Sequence, residues 1–506
     1  MRAQSMKLVV LLALLVVMSA GTALADDGQS ASLAPVILDA PACTVVVSPG
    51  DSIQKAIVAA RRGTVICVRG GVYNERLLVK PAQSGMTLMA YPGENPIIDG
   101  KYVLPVVTTR NKFPALLQIT GTDIVIDGLE LRNSNKRGLT VNGQNITLRN
   151  NVVRDSRSVG VNINGGNKNP ARNILVENNV VYNNLVENAS GSYGGSALTF
   201  IQVEDSIARG NLVYHNYGEG LVAGRWTKGM LFEGNVSYDN RGANLYLVNS
   251  TNPVVRNNFI FCTDDQISWR GTGNSYRPGP GLQIRDENFE GQSVKPPAGS
   301  GHVIINNIVV GCGTNFGVST QMTGGGLNNA LVANNSFINA RGLTGVGANN
   351  IELEGRASYR NSRFVNNLIV QDVPGTMLRV QTAQGTPNFS TFQVSNNLYT
   401  QAPSSSWFSN EAGRVIANAN LVNAVLPSLA AIPGPSNYAL TNGSPAIDRG
   451  TAVSQVTHDY FLDARAGTPD IGADEIGGSQ DYPYGVLLEQ VTAAADAVSA
   501  LTEPQN

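Results

Sequence analysis

The sequence predicts an all-β chain wound as a parallel β-helix, a single-stranded solenoid of about ten coils. Three observations carry this reading. A short phrase of alternating apolar and polar residues around Asn-Asn or Gly-Asn returns nine times, as in Ile146-Thr-Leu-Arg-Asn-Asn-Val-Val-Arg154 and Ile174-Leu-Val-Glu-Asn-Asn-Val-Val-Tyr182. The second residue of each pair falls at 151, 179, 211, 235, 258, 307, 335, 367 and 397, in steps of 28, 32, 24, 23, 49, 28, 32 and 30. Repeats of this length mark stacked architectures, and alternation with period two marks strands. Most phrases are followed by a glycine-led strand: Gly138-Leu-Thr-Val, Gly160-Val-Asn-Ile, Gly220-Leu-Val-Ala, Gly281-Leu-Gln-Ile, Gly317-Val-Ser-Thr. A strand, a bend at asparagine, a strand, a loop and a third strand make one coil. At the bend asparagine tolerates left-handed backbone angles, and its amide can bond the asparagine of the next coil.

Residues 1–25 read as a secretory signal peptide. Arg2 and Lys7 precede an apolar run from Leu8 to Met18, and Ala23-Leu24-Ala25 offers a small-residue cleavage site. The run is short for a bilayer span, and no later segment is long and apolar enough to cross one. The expectation is a secreted or extracytoplasmic chain without stable membrane insertion, monomeric in solution. Charged residues make up 14% of the chain, with 36 basic and 37 acidic side chains and no basic tract, which excludes nucleic acid as a partner.

Residues 26–42 read as a flexible leader and 43–400 as the β-helix with its N-terminal cap. Within the cap, Asp51 and Gln54 are spaced as a capping box. Ile53, Ala56, Ile57 and Ala60 form one apolar helix face, and Gly63 ends the helix. Such a helix would cover the open end of the solenoid. Residues 401–476 read as an irregular C-terminal region, and 477–506 as a short C-terminal tail helix with Leu487, Val491, Ala494, Val498 and Leu501 on one face. The 49-residue step from Asn258 to Asn307 reads as one coil with large loops, where sites tend to lie.

Four cysteines are present. Cys262 and Cys312 lie four and five residues after successive repeat asparagines, and Cys43 and Cys67 lie in successive apolar strands. Stacking would pair Cys262 with Cys312 and Cys43 with Cys67; the alternative is four buried free thiols.

The opening Val47-Ser-Pro-Gly-Asp-Ser-Ile-Gln-Lys-Ala-Ile57, then Gly70-Gly-Val-Tyr-Asn-Glu75 and Ile97-Ile-Asp-Gly100, resembles exported right-handed parallel β-helix proteins of the pectin-lyase-like superfamily. The far end, Gly443-Ser-Pro-Ala-Ile-Asp-Arg-Gly450 with Arg465-Ala-Gly-Thr-Pro-Asp-Ile-Gly-Ala-Asp-Glu475, is similar to a closing motif of such proteins. The resemblance covers residues 43–476. It implies a right-handed helix and a groove for a polymer. It does not select among the lyases, hydrolases, epimerases, esterases and non-catalytic proteins of the superfamily. The Gly-His-Gly and Arg-Ile-Lys segments of its polygalacturonases are absent, and Asp264-Asp265 reads as a turn.

Alternation on the glycine-led strands points Leu139, Val161, Leu198, Leu221, Leu245 and Leu282 inward. It points Thr140, Asn162, Thr199, Val222, Tyr246 and Gln283 outward, with Arg285 two residues further on. A polysaccharide lyase neutralises a uronate carboxylate, removes the neighbouring proton and protonates the leaving oxygen. Arg285 or Arg225 are the candidates for neutraliser or base, and Tyr246 for the acid. Trp226, Asn162, Gln283 and Lys228 are candidate sugar contacts. Asp286 and Glu287 are candidate calcium ligands, although no cofactor is required. Asp448, Asp463, Asp470 and Asp474 offer oxygen ligands at the far end, or turns closed on their own backbone. His215 follows a buried strand and reads as structural. The expected role is an exported protein that binds or processes extracellular polysaccharide, with β-elimination on acidic glycans as the enzymatic version. A non-catalytic surface or matrix β-helix, acting as adhesin or scaffold, is the alternative.

Overall fold

The structure, a computed structural model, describes residues 42–166, 169–190, 194–290, 294–408 and 410–481. The expected signal peptide, the leader up to residue 41 and the tail helix beyond residue 481 lie outside them; residues 477–481 carry no helix.

Three sheets form the faces of a solenoid. The first runs from Val45–Val47 to Phe392–Ser395 with 13 strands, and the second from Gly71–Tyr73 to Val415–Ile416 with 13. The third runs from Leu77–Val79 to Thr376–Gln381 with 11. Every ladder between successive coils is parallel, as in Leu139↔Val161, Leu221↔Leu245 and Leu245↔Leu282 on the third face. The six residues expected to point inward there are at most 2% exposed. The solenoid is longer than ten coils because the first coils turn without an asparagine pair; the coil before Asn151 uses Gly128 at φ +73°.

The two residues of each asparagine pair divide the work. The first takes the left-handed conformation, as Asn150, Asn178 and Asn257 do at φ 54–56°, or is replaced by Gly210 or Gly234. The second is buried and builds a ladder. Each Nδ2 donates to the Oδ1 of the next coil at 2.9–3.1 Å, from Asn151 through Asn179, Asn211, Asn235, Asn258, Asn307, Asn335 and Asn367 to Asn397. The ladder ends on Glu411 Oε1 at 2.8 Å.

A second ladder, Asn184–Asn216–Asn240–Asn244, runs along the corner between the second and third faces. There Asn244 Nδ2 reaches Cys262 Sγ at 3.2 Å, and the Cys262–Cys312 disulfide continues the stack; Cys43 pairs with Cys67. Two disulfides fit an oxidising compartment, and no helix among the described residues is long and apolar enough to cross a membrane. Cys262–Cys312 closes a 50-residue separation that contains the longest insertion. Replacing both cysteines by serine is expected to cost about 2–4 kcal/mol in chemical denaturation, because the unfolded chain regains that loop's freedom.

The cap helix is Ile53–Ala59, with Ile53 and Ile57 fully buried. Its N-cap is Ser52, not Asp51. Glu75 completes the cap by accepting from Ser52 Oγ at 2.6 Å and from the backbone N–H of Ile53 at 2.9 Å. Gln54 bonds the backbone of Leu78 rather than closing a box.

The closing segment runs back along the second face. Tyr460, Phe461, Ile471 and Ala473 pack against Phe259, Ile308 and Leu368. The left-handed asparagines reach out to hold it: Asn257 Nδ2 donates to Asp459 O, Asn306 to His458 O, Asn334 to Asp470 O and Asn366 to Thr451 O, at 2.7–3.0 Å. The acidic residues there bond backbone amides. Asp470 accepts from Asp448 N and Ile476 N, and Asp474 from Leu440 N.

Candidate functional site

The third face carries a cleft of about 400 Å³ over its C-terminal coils. Its floor follows from strand alternation. Tyr246 stands in register with Val222 on one side and Gln283 on the other, then come Gly317 and Glu352; Arg285 is in register with Ser319. One wall is the insertion after Cys262. Its backbone doubles back on itself, with Arg270 N to Arg277 O at 2.8 Å and Arg277 N to Arg270 O at 3.0 Å, and both arginines line the cleft. Gly347, at φ +75°, makes room for one of them: a Cβ there would lie 2.3 Å from Arg277 Nη1.

The polar groups are paired and held. Tyr246 Oη donates to Glu287 Oε1 at 2.8 Å. Burial first, and then the Glu287 carboxylate, drive the Tyr246 phenol well above its ordinary value, so it keeps its proton. Arg285 Nε lies 3.9 Å from Glu287 Oε1. Glu219, at the start of the strand Glu219–Ala223, also lines the cleft and accepts from Ser196 Oγ at 3.2 Å. Burial pushes its carboxyl up to about 7; Glu287 adds to the rise, while Ser196 and Arg270 oppose it. A carboxyl poised there can serve as a base near neutrality. At the far side Glu354 is buried, accepts from Thr320 N at 2.7 Å and pairs with Arg356 at 2.6 Å.

Of the candidates from sequence, Arg285, Tyr246, Gln283 and Glu287 come together in this cleft. Asp286 does not join them. It is buried on the opposite side of its strand, and its oxygens accept from Gly299 N and Gly326 N, both at 2.7 Å. Asp286 faces inward and Glu287 faces the cleft, so the two do not converge on one calcium ion. Arg225 and Trp226 occupy the turn beyond the third face, where the Arg225 guanidinium lies 5.0 Å from the Phe289 ring and 5.9 Å from that of Trp226. Lys228 is exposed and begins a strand of the first face, in register with Glu204, so it looks away from the cleft. Asn162 shares the outward row but stands three strands from Tyr246, and only 3% of it is exposed. Glu219, Arg270 and Arg277 were missed: the first stands between two glycines at the very start of its strand, the others in an insertion without period.

Residues 39–251 match the family model described as Pel9A-like, right handed beta helix region. The chain is a right-handed parallel β-helix, and 213 of its 506 residues match that family. Among solved structures, that of XylC with xylose is 12% identical with a TM-score of 0.51, covering 84% of this chain and 95% of its own. Pectate lyase Pel9A is 17% identical with a TM-score of 0.47, covering 86% of this chain and 97% of its own. The mannuronan C-5 epimerase AlgE6 A-module of Azotobacter vinelandii is 17% identical with a TM-score of 0.43, covering 69% and 83%. No curated protein sequence matches the chain. At these identities the likeness is one of fold.

Proposed function

We propose that this β-helix protein acts outside the cytoplasm on an acidic polysaccharide, cleaving it by β-elimination in the third-face cleft. The observation that carries the reading is the convergence there of a carboxyl poised near neutrality, a phenol held protonated and a set of guanidinium groups. Arg285, with Arg270 and Arg277 from the wall, would neutralise the uronate carboxylate and so acidify the adjacent C–H. Glu219 would take that proton. As the C–O bond to the leaving sugar breaks, Tyr246 would hand its own proton to the departing oxygen, leaving an unsaturated product. Proton exchange from Glu219 to Tyr246 through solvent resets the site. Gln283 and Ser319, joined at 3.2 Å, offer hydrogen bonds to sugar hydroxyls on the floor. No step is assigned to calcium.

The test is a panel of uronate polymers read by ultraviolet absorbance of unsaturated products. Absorbance with at least one polymer is expected, and silence across the panel would overturn the proposal. Binding without product would favour the non-catalytic reading. Tyr246→Phe is expected to lower kcat about 100-fold with little change in KM, since the lost proton is needed only as the bond breaks.

A further inference from the structure

At the corner between the second and third faces, three successive coils each send one side chain to the same point. His215 follows the strand Leu212–Tyr214, Asp239 follows Val236–Tyr238, and Asp265 lies just beyond Phe259–Phe261. One ligand atom from each lies within 4.8 Å of the others, the one such cluster found among the described residues. The His215 side chain is 8% exposed, and its buried Nε2 makes no hydrogen bond. It stands 3.5 Å from Asp239 Oδ2 and 3.6 Å from Asp265 Oδ2. The edges of the Tyr214 and Tyr238 rings, with centroids 5.2 and 5.5 Å from the imidazole's, hold its plane.

Both carboxylates are held by neighbouring groups. Asp239 accepts from Thr263 N at 2.8 Å and from Thr263 Oγ1 at 2.6 Å, and Asp265 Oδ1 accepts from Ile267 N at 3.0 Å. A charge-assisted bond from the imidazole would close to about 2.7–2.9 Å. The two spacings from His215 instead match the edge of a coordination tetrahedron: bonds of about 2.0–2.2 Å to zinc place neighbouring ligand atoms roughly 3.3–3.6 Å apart.

We propose that His215, Asp239 and Asp265 bind one divalent transition-metal ion, zinc by ligand chemistry, with a fourth position left to water. One nitrogen and two carboxylate oxygens suit that ion, and the Thr263 hydroxyl orients Asp239 from outside the coordination shell. Arg341, whose guanidinium feels the charge of Asp239 and Asp264, offsets part of the negative charge. The ion staples three coils at the root of the insertion that carries Arg270 and Arg277, so it would steady the cleft wall without touching substrate.

The experiment uses tag-free full-length protein, stripped with chelator and titrated with Zn2+ and, as a visible probe, Co2+. Expected are one equivalent bound, a tetrahedral Co2+ spectrum and a raised Tm. Affinity should fall by more than about 100-fold in His215→Gln and Asp265→Asn, and by roughly 10- to 100-fold in Thr263→Val. With only three histidines in the chain, 15N imidazole spectra of the wild type read the same question without a variant: Zn2+ should shift one Nε2 alone. No uptake by folded wild type, uptake undiminished in folded Asp265→Asn, preference for Ca2+ over Zn2+, or no imidazole shift would each overturn the proposal.

Discussion

Glu219→Gln is expected to lower turnover on the responsive polymer by roughly 100- to 10,000-fold, the span of a lost general base. The wild-type pH profile supplies the control. A base must be ionised, and burial holds this carboxyl at about 7, so activity should climb as pH rises through that value. A base exposed to solvent would give the climb near pH 4. Gln keeps the size of the side chain and can still meet Ser196, so the variant should fold and bind.

The same burial makes an opposite prediction for stability. The folded pKa of Glu219 lies above its unfolded value, so its favourable contribution is full below the unfolded pKa and is lost as pH rises through about 7. Glu219→Gln should therefore be more stable than wild type above pH 7, and that gain should vanish in acid. Denaturation at two pH values measures it. Loss of activity without the pH-dependent gain would mean that the carboxyl is hydrated and the assignment of the base is wrong.

What the sequence made legible was periodic. Asn-Asn and Gly-Asn pairs marked nine corners, and alternation put Tyr246, Gln283 and Arg285 on one outward row because neighbouring coils stack in register. The same rule already placed Asp286 inward, next to outward Arg285, and reading it as a ligand set local chemistry above the pleat. Lys228 failed for a related reason: the turn at Arg225 and Trp226 hands the chain to another face. Glu219, Arg270 and Arg277 carry no such signal. Their value lies in burial and in a wall built from an insertion, both properties of neighbours distant in sequence. The closing segment was legible as a motif but not as a strap, since its partners, such as Asn257 for Asp459 and Tyr460, lie up to 203 residues away.

Asn258→Ala is expected to cost about 3–6 kcal/mol, enough to unfold much of a marginal chain. Asn258 sits in the middle of the buried ladder, fully enclosed. Its amide donates to Phe232 O, Arg256 O and Asn307 Oδ1 at 2.9–3.0 Å, and its carbonyl accepts from the backbone N–H and side chain of Asn235 at 2.9–3.0 Å. Truncation leaves two or three of these groups without partners, at roughly 1–3 kcal/mol each. Asn173 is the control. Its Nδ2 donates to Asn145 Oδ1 at 3.0 Å in a parallel row of asparagines, but on the exposed first face, where water replaces the lost partner. Asn173 also holds a left-handed φ of 53°, so Asn173→Gly, which keeps that conformation open, isolates the side-chain bond and should cost under about 1 kcal/mol. Equal losses at the two positions would mean that the buried ladder contributes turn geometry alone, and that the amide stack does not bind coil to coil.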